Sequence, residues 1–246
     1  MTVRLGLSTR LGLARLLFIT DCRGAGDLAE LADAALGGGV DMVQLRDPSA
    51  GEDAQLEAIS TLRGVAHRDQ GLIANYGDVR LAAKANADVL QLSAFGPDAA
   101  SAHAALHRWA LVGRSCHSVA EVDAAIAEDG VDFFTVSPVF NTAGVGRAGL
   151  ALVAHAAKAA PAGDPASRPW FAVGGINAAN LDQVLAAGAR RIGVTRAIAT
   201  AEDPHAAAEE LKERLRKAWN DDPAMEQVTF SAFSAPPRPT PPQPRS

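Results

Sequence analysis

The chain of 246 residues reads as an α/β protein, a single (β/α)8 TIM barrel with a proline-rich C-terminal tail. Three observations predict this. Short apolar runs alternate with alanine- and leucine-rich helical stretches eight times along the chain. The runs have the length of strands that are covered on both faces. Most of them close on a polar residue, at the strand end where a parallel barrel carries its chemistry.

Composition sets the bounds. With 48% apolar and 21% charged residues, the profile is that of a globular domain that buries a full core. A net charge of −5 and 5% aromatics give neither a basic footprint nor a stacking platform, which sets nucleic acid aside. Two cysteines, Cys22 and Cys116, are too few for a disulfide scaffold or a thiolate zinc site, and a reducing cytoplasm is expected.

Residues 1–15 carry Arg4, Arg10 and Arg15 among leucines and are expected to form a disordered or fraying N-terminal extension. The apolar run from Leu16 to Thr20 is too short to span a membrane. Seven of the fourteen prolines fall between Pro223 and Pro244, so residues 221–246 are expected to be a disordered tail. That leaves residues 16–220 for the barrel.

In order, the predicted strands are Leu16 to Asp21, Met42 to Arg46, Leu72 to Asn75, Val89 to Leu92, Leu111 to Ser115, Phe133 to Val136, Trp170 to Val173 and Arg191 to Thr195. Helices are marked by spacing and punctuation. Leu28, Leu31, Ala32, Ala35 and Leu36 follow helical periodicity until Gly37-Gly38-Gly39 stops it. Ser118 with Glu121 makes a capping box for a helix to Glu128. Asn177 is expected to cap a helix through Leu185, and Pro204 opens a last helix with Leu211, Leu215 and Trp219 on one face. A doubly wound open sheet is the alternative, but no G-x-G-x-x-G follows the first strand.

The polar strand ends, Asp21, Gln44, Arg46, Asn75, Gln91, Ser115, His117, Thr195 and Arg196, converge on one rim in a barrel and outline a pocket for a small anion. After the seventh strand, Gly174-Gly175 lets backbone N–H groups approach a phosphate, and the last two strand ends of a barrel often hold one. The same pair also serves as a plain tight turn.

Five motifs occur in order: Leu17-Phe18-Ile19-Thr20-Asp21, Val43-Gln44-Leu45-Arg46-Asp47, Gly113-Arg114-Ser115-Cys116-His117-Ser118, Ser137-Pro138-Val139-Phe140 and Val173-Gly174-Gly175-Ile176-Asn177. Together they resemble the thiamine phosphate synthase family, which also contains thiazole tautomerases. The resemblance implies a magnesium-dependent transferase that joins hydroxymethylpyrimidine diphosphate to thiazole phosphate and releases pyrophosphate. It further implies that Gln44, Arg46, Asn75 and Ser115 hold the diphosphate substrate and that Thr142 belongs to the loop after the sixth strand. Gly174, Gly175, Thr195 and Arg196 fall where the family holds thiazole phosphate, and His117 is a candidate acid–base residue. Gln44 and Arg46 also read as part of a structural polar layer, and His117 as a structural histidine.

The metal half departs from the pattern. The family's magnesium aspartate follows the asparagine of the third strand, where this chain reads Asn75-Tyr76-Gly77-Asp78. Its second is met here by Ser93-Ala94-Phe95-Gly96-Pro97-Asp98, so Asp78 and Asp98 are the candidate ligands only if the loops shift. Pro48, Gly144 and Val145 replace a lysine, a threonine and a lysine on the same side. Three functions follow: a synthase with a rebuilt metal site, a tautomerase-like enzyme working on thiazole phosphate without metal, or a non-catalytic phosphate-ligand binder. The sequence leaves a homo-oligomer open.

Overall fold

Eight parallel strands close into a barrel in sequence order, β1 pairing with β8, in this computed structural model, which describes residues 2–23, 27–140 and 149–234. The chain runs α1 (Thr2–Leu13), β1 (Leu16–Thr20), α2 (Leu28–Gly37), β2 (Met42–Leu45), α3 (Glu52–Arg68), β3 (Leu72–Tyr76), α4 (Val79–Lys84) and β4 (Val89–Leu92). It continues through α5 (Ala99–Ala105), β5 (Leu111–Cys116), α6 (Val119–Ala127), β6 (Phe133–Val136), α7 (Gly149–Ala159), β7 (Trp170–Val173) and α8 (Leu181–Ala186). The last elements are β8 (Ile192–Val194), α9 (Arg196–Ala199), α10 (Pro204–Asn220) and α11 (Ala224–Ser234). None of the described helices is long and apolar enough to cross a membrane.

Alternation along each strand divides the core in two. Leu17, Met42, Leu72, Val89, Leu111, Phe133 and Phe171 point inward and fill the barrel. Leu16, Phe18, Val43, Ile73, Phe134 and Trp170 point outward under the helices. Phe133 and Phe171 meet edge to face across the interior, with centroids 6.0 Å apart. Gly113 makes that possible: a Cβ there would stand 2.3 Å from the Phe133 ring.

Above this apolar filling lies a polar layer. The Gln44 Nε2 donates to Gln91 Oε1 at 2.7 Å, and the Gln91 Nε2 donates to Ser115 Oγ at 2.9 Å and Thr135 Oγ1 at 2.7 Å. All four residues are buried, and their mutual bonds offset the cost of removing amides from water.

Both chain ends differ from the expectation. Residues 2–13 form α1, whose Leu7 and Leu11 are each 2% exposed and pack with Leu72, Leu111 and Phe133. The lower mouth of the barrel is apolar and must be covered, and leucines spaced four apart on one helix face cover it. Part of the expected tail forms α11, because Ala224–Ser234 contains no proline: Pro223 precedes it and the other six follow it in the sequence. Met225 and Val228 bury against Trp219, and Thr9 Oγ1 donates to the Ala232 carbonyl at 2.7 Å, joining the two end helices. Residues 235–246 lie outside the described residues.

Helix starts largely follow the sequence signals. Ser118 caps α6 and Pro204 opens α10. Asn177 does not cap α8. Its side chain accepts from Ala179 N, while Asn180 Oδ1 takes the Asn177 N–H, so the pair brackets a turn and the helix begins at Leu181.

Candidate active site

A cavity of about 730 Å³ opens at the C-terminal rim, between the ends of β1, β2, β5, β6, β7 and β8. Two sides of it are built differently.

One side is backbone. Gly174, Gly175, Ile176, Arg196 and Ala197 line the cavity, and their backbone N–H groups find no acceptor among the described residues. The chain reaches this conformation because both glycines have positive φ, +107° at Gly174 and +69° at Gly175. The β6 loop lies directly against them: Val139 N donates to Val173 O at 2.9 Å and Phe140 N to Gly174 O at 3.0 Å. A Cβ on Gly174 would come within 2.8 Å of Pro138 Cα. Unpaired backbone amides in the wall of a cavity can receive oxyanion oxygens.

The other side is made of side chains. Arg46 is exposed at the end of β2, its guanidinium 4.3 Å from the centre of the Tyr76 ring. His117, at the end of β5, places Nδ1 2.8 Å from the Ser137 carbonyl oxygen. That contact assigns the proton to Nδ1 and makes Nε2 the acceptor of the neutral ring. The backbone N–H of His117 is held by Glu121 at 2.7 Å, an extension of the α6 capping box that fixes the residue at the rim. Asp21, Thr195 and Arg196 also line the cavity.

A family model described as thiamine monophosphate synthase matches residues 16–198. The chain belongs to the thiamine monophosphate synthase family. It is 48% identical over 213 residues to a thiamine-phosphate synthase of Thermobifida fusca, covering 85% of this chain and 95% of that one. A thiamine-phosphate synthase of Streptomyces avermitilis is 44% identical, with coverage of 85% and 97%. Among solved structures, a thiamine phosphate pyrophosphorylase from Pyrococcus furiosus superposes with a TM-score of 0.74 at 28% identity, covering 86% of this chain and 98% of that one.

Of the site residues that family resemblance implied, Arg46, His117, Gly174, Gly175, Thr195 and Arg196 share the cavity. Gln44 and Ser115 lie beneath it in the polar layer with Gln91. Asn75 is buried at the end of β3; its Nδ2 donates to the Asp78 carbonyl at 3.1 Å, and its Oδ1 has no donor. Thr142 lies outside the described residues.

The proposed metal ligands are engaged elsewhere. Asp78 caps α4, accepting from Arg80 N at 2.8 Å and Leu81 N at 3.1 Å. Asp98 caps α5, and its Oδ1 and Oδ2 take the N–H and hydroxyl of Ser101, each at 2.8 Å. Those bonds, led by the Ser101 N–H, hold the Asp98 carboxyl below its usual range. Tyr76, which follows Asn75, lies against Arg46. Among the described residues no group of three or more His, Cys, Asp or Glu side chains is arranged to hold a metal ion. The described residues do not fit a protein-held magnesium.

Two features escaped the sequence reading. Tyr76 is the platform of Arg46, and a tyrosine after a strand-end asparagine carries no signal for that. Thr135 joins the Gln91 network, and the hint was available, since it is the polar member of the inward pair Phe133 and Thr135 in an otherwise apolar run.

Proposed function

We infer that this chain is a thiamine-phosphate synthase, joining hydroxymethylpyrimidine diphosphate to thiazole phosphate to give thiamine phosphate and pyrophosphate. The observation that carries the reading is the pairing of the amide cradle at Gly174–Ala197 with the arginine of β2 across one cavity, in a chain of this family.

The reaction breaks the bond between the pyrimidine methyl carbon and the diphosphate oxygen, and the thiazole nitrogen supplies the electron pair for the new C–N bond. The cradle binds the thiazole phosphate through amides that need no reorganisation, which fixes the direction of the ring nitrogen. Arg46 meets the diphosphate with a planar fork suited to two oxygens, and its charge favours departure of the leaving group. Tyr76 keeps that fork at the rim. Gln44, through Gln91 and Ser115, gives the pyrimidine a rigid polar floor, and the buried Asn75 Oδ1 is an acceptor for a ligand N–H. His117, with Nδ1 committed to Ser137, presents Nε2 for a hydrogen bond or a proton. Its small phosphorylated substrates support a cytoplasmic setting.

A tautomerase-like reading has one observation in its favour: Asp78 and Asp98 are spent on helix caps while the cradle and His117 remain. Formation of thiamine phosphate from the two substrates supports the synthase. Proton exchange on a thiazole phosphate, abolished by His117→Asn without loss of binding and with no thiamine phosphate formed, replaces it with the tautomerase reading.

A further inference from the structure

At the opposite end of the barrel, α1, α11 and the segment between α7 and β7 surround a second cavity of about 170 Å³. Leu11, Ala162, Pro169 and Val228 give it an apolar wall, and Arg191 enters that wall from the start of β8. An apolar cavity of about 150 Å³ is enough to take benzene.

Arg191 is 3% exposed. Its Nη2 donates to the Gly12 carbonyl at 2.8 Å, and its Nε has no partner. The carboxylate whose charge reaches it, Asp41, is shared with Lys212 and Arg15. The Trp219 ring centre lies 4.9 Å from the Arg191 guanidinium and 4.4 Å from that of Arg15, so two cations share one ring. Asp41 pairs with Lys212 and accepts the Arg15 and Leu16 N–H groups. The carboxylates of the cavity wall share it with a second arginine, Arg168: Asp132 takes the Val112 N–H and lies 3.9 Å from His103, and Asp164 takes the Ala166 N–H. Burial first, then Arg15, with Asp41 opposing, brings the Arg191 guanidinium down to about 9, which leaves it a cation at neutral pH. A buried cation that shares its one acting carboxylate with two other cations is costly, and an anion in the cavity relieves that cost.

We propose that this lower cavity is a second ligand site, taking a small carboxylate with an apolar body of about benzene size whose charge faces Arg191. Nothing in the synthase chemistry uses it, because the rim cavity lies at the other end of the strands.

Benzoate is the probe, titrated into the full chain by calorimetry and by thermal unfolding, beside benzamide as the neutral isostere and inorganic phosphate as an anion without an apolar body. Saturable benzoate binding is expected, with a melting temperature that rises with benzoate concentration. Benzamide and phosphate should bind there about tenfold more weakly or less. Arg191→Met should remove benzoate binding, while Arg46→Ala keeps it. Ser231→Phe, which fills the cavity and leaves the charge, should also remove it. The proposal is overturned by absence of saturable benzoate binding, by equal binding of benzamide, or by benzoate binding that survives both Arg191→Met and Ser231→Phe.

Discussion

The Arg46 guanidinium lies 4.3 Å from the centre of the Tyr76 ring, so the cation expected to meet the diphosphate is held by an aromatic face from the next strand. An exposed contact of this kind contributes about 0.5–1 kcal/mol. Tyr76→Leu should therefore leave folding nearly unchanged and lower kcat/KM for the diphosphate substrate by about threefold to fivefold. Steady-state kinetics with thiazole phosphate saturating checks this. An unaltered kcat/KM would mean that the ring does not position Arg46.

The amide cradle depends on two glycines that are not equivalent. Gly174, at φ +107°, faces the backbone of Pro138, whereas Gly175, at φ +69°, faces Phe140 and lies in the left-handed region that other residues visit. Gly174→Ala should destabilise by about 2–3 kcal/mol and Gly175→Ala by about 1–2 kcal/mol, both with weakened binding of inorganic phosphate. Urea unfolding and phosphate titration measure the two effects separately.

The helix α1 closes the barrel floor. Leu7→Ala and Leu11→Ala should each cost about 2–5 kcal/mol in urea unfolding, the usual range for emptying a buried leucine site. A frayed extension would tolerate both changes without effect.

Neither thiol is set up as a nucleophile. Burial, with Glu121 next, pushes the Cys116 thiol up to about 12. Cys22 is raised as well, first by burial and then by Asp47 and Asp21. A raised thiol stays protonated until the pH approaches its own shifted value, so the thiolate is scarce at pH 8. Iodoacetamide at that pH should label the native protein slowly and label both cysteines rapidly in denaturant.

Much of this was legible in the sequence because buried parallel strands write themselves as continuous apolar runs. All eight strands lie where those runs placed them, with ends moved by a residue or so: β3 extends to Tyr76, and β8 begins at Ile192 rather than Arg191. The cradle was legible too, since Gly174-Gly175 after a strand has a backbone reason. The two end helices were not. Arginines among the leucines of α1 suggested a solvated segment, yet Arg10 reaches the Gln70 carbonyl at 2.9 Å while Leu7 and Leu11 bury. The proline argument was drawn across residues 224–234, which hold no proline and form α11. Asp78 and Asp98 show the limit at the site. An aspartate before a helix is as good a cap as a metal ligand, and only the hydrogen bonds to Arg80, Leu81 and Ser101 decide which it is.

The central claim is tested most directly by thiamine phosphate formation. The purified chain is given hydroxymethylpyrimidine diphosphate and thiazole phosphate, with and without magnesium, beside Arg46→Ala. Turnover by the wild type is predicted, lowered about a hundredfold or more in Arg46→Ala, the usual scale for removing one charge-stabilising group. No thiamine phosphate under either condition, from a folded protein that still binds thiazole phosphate, would contradict the synthase reading.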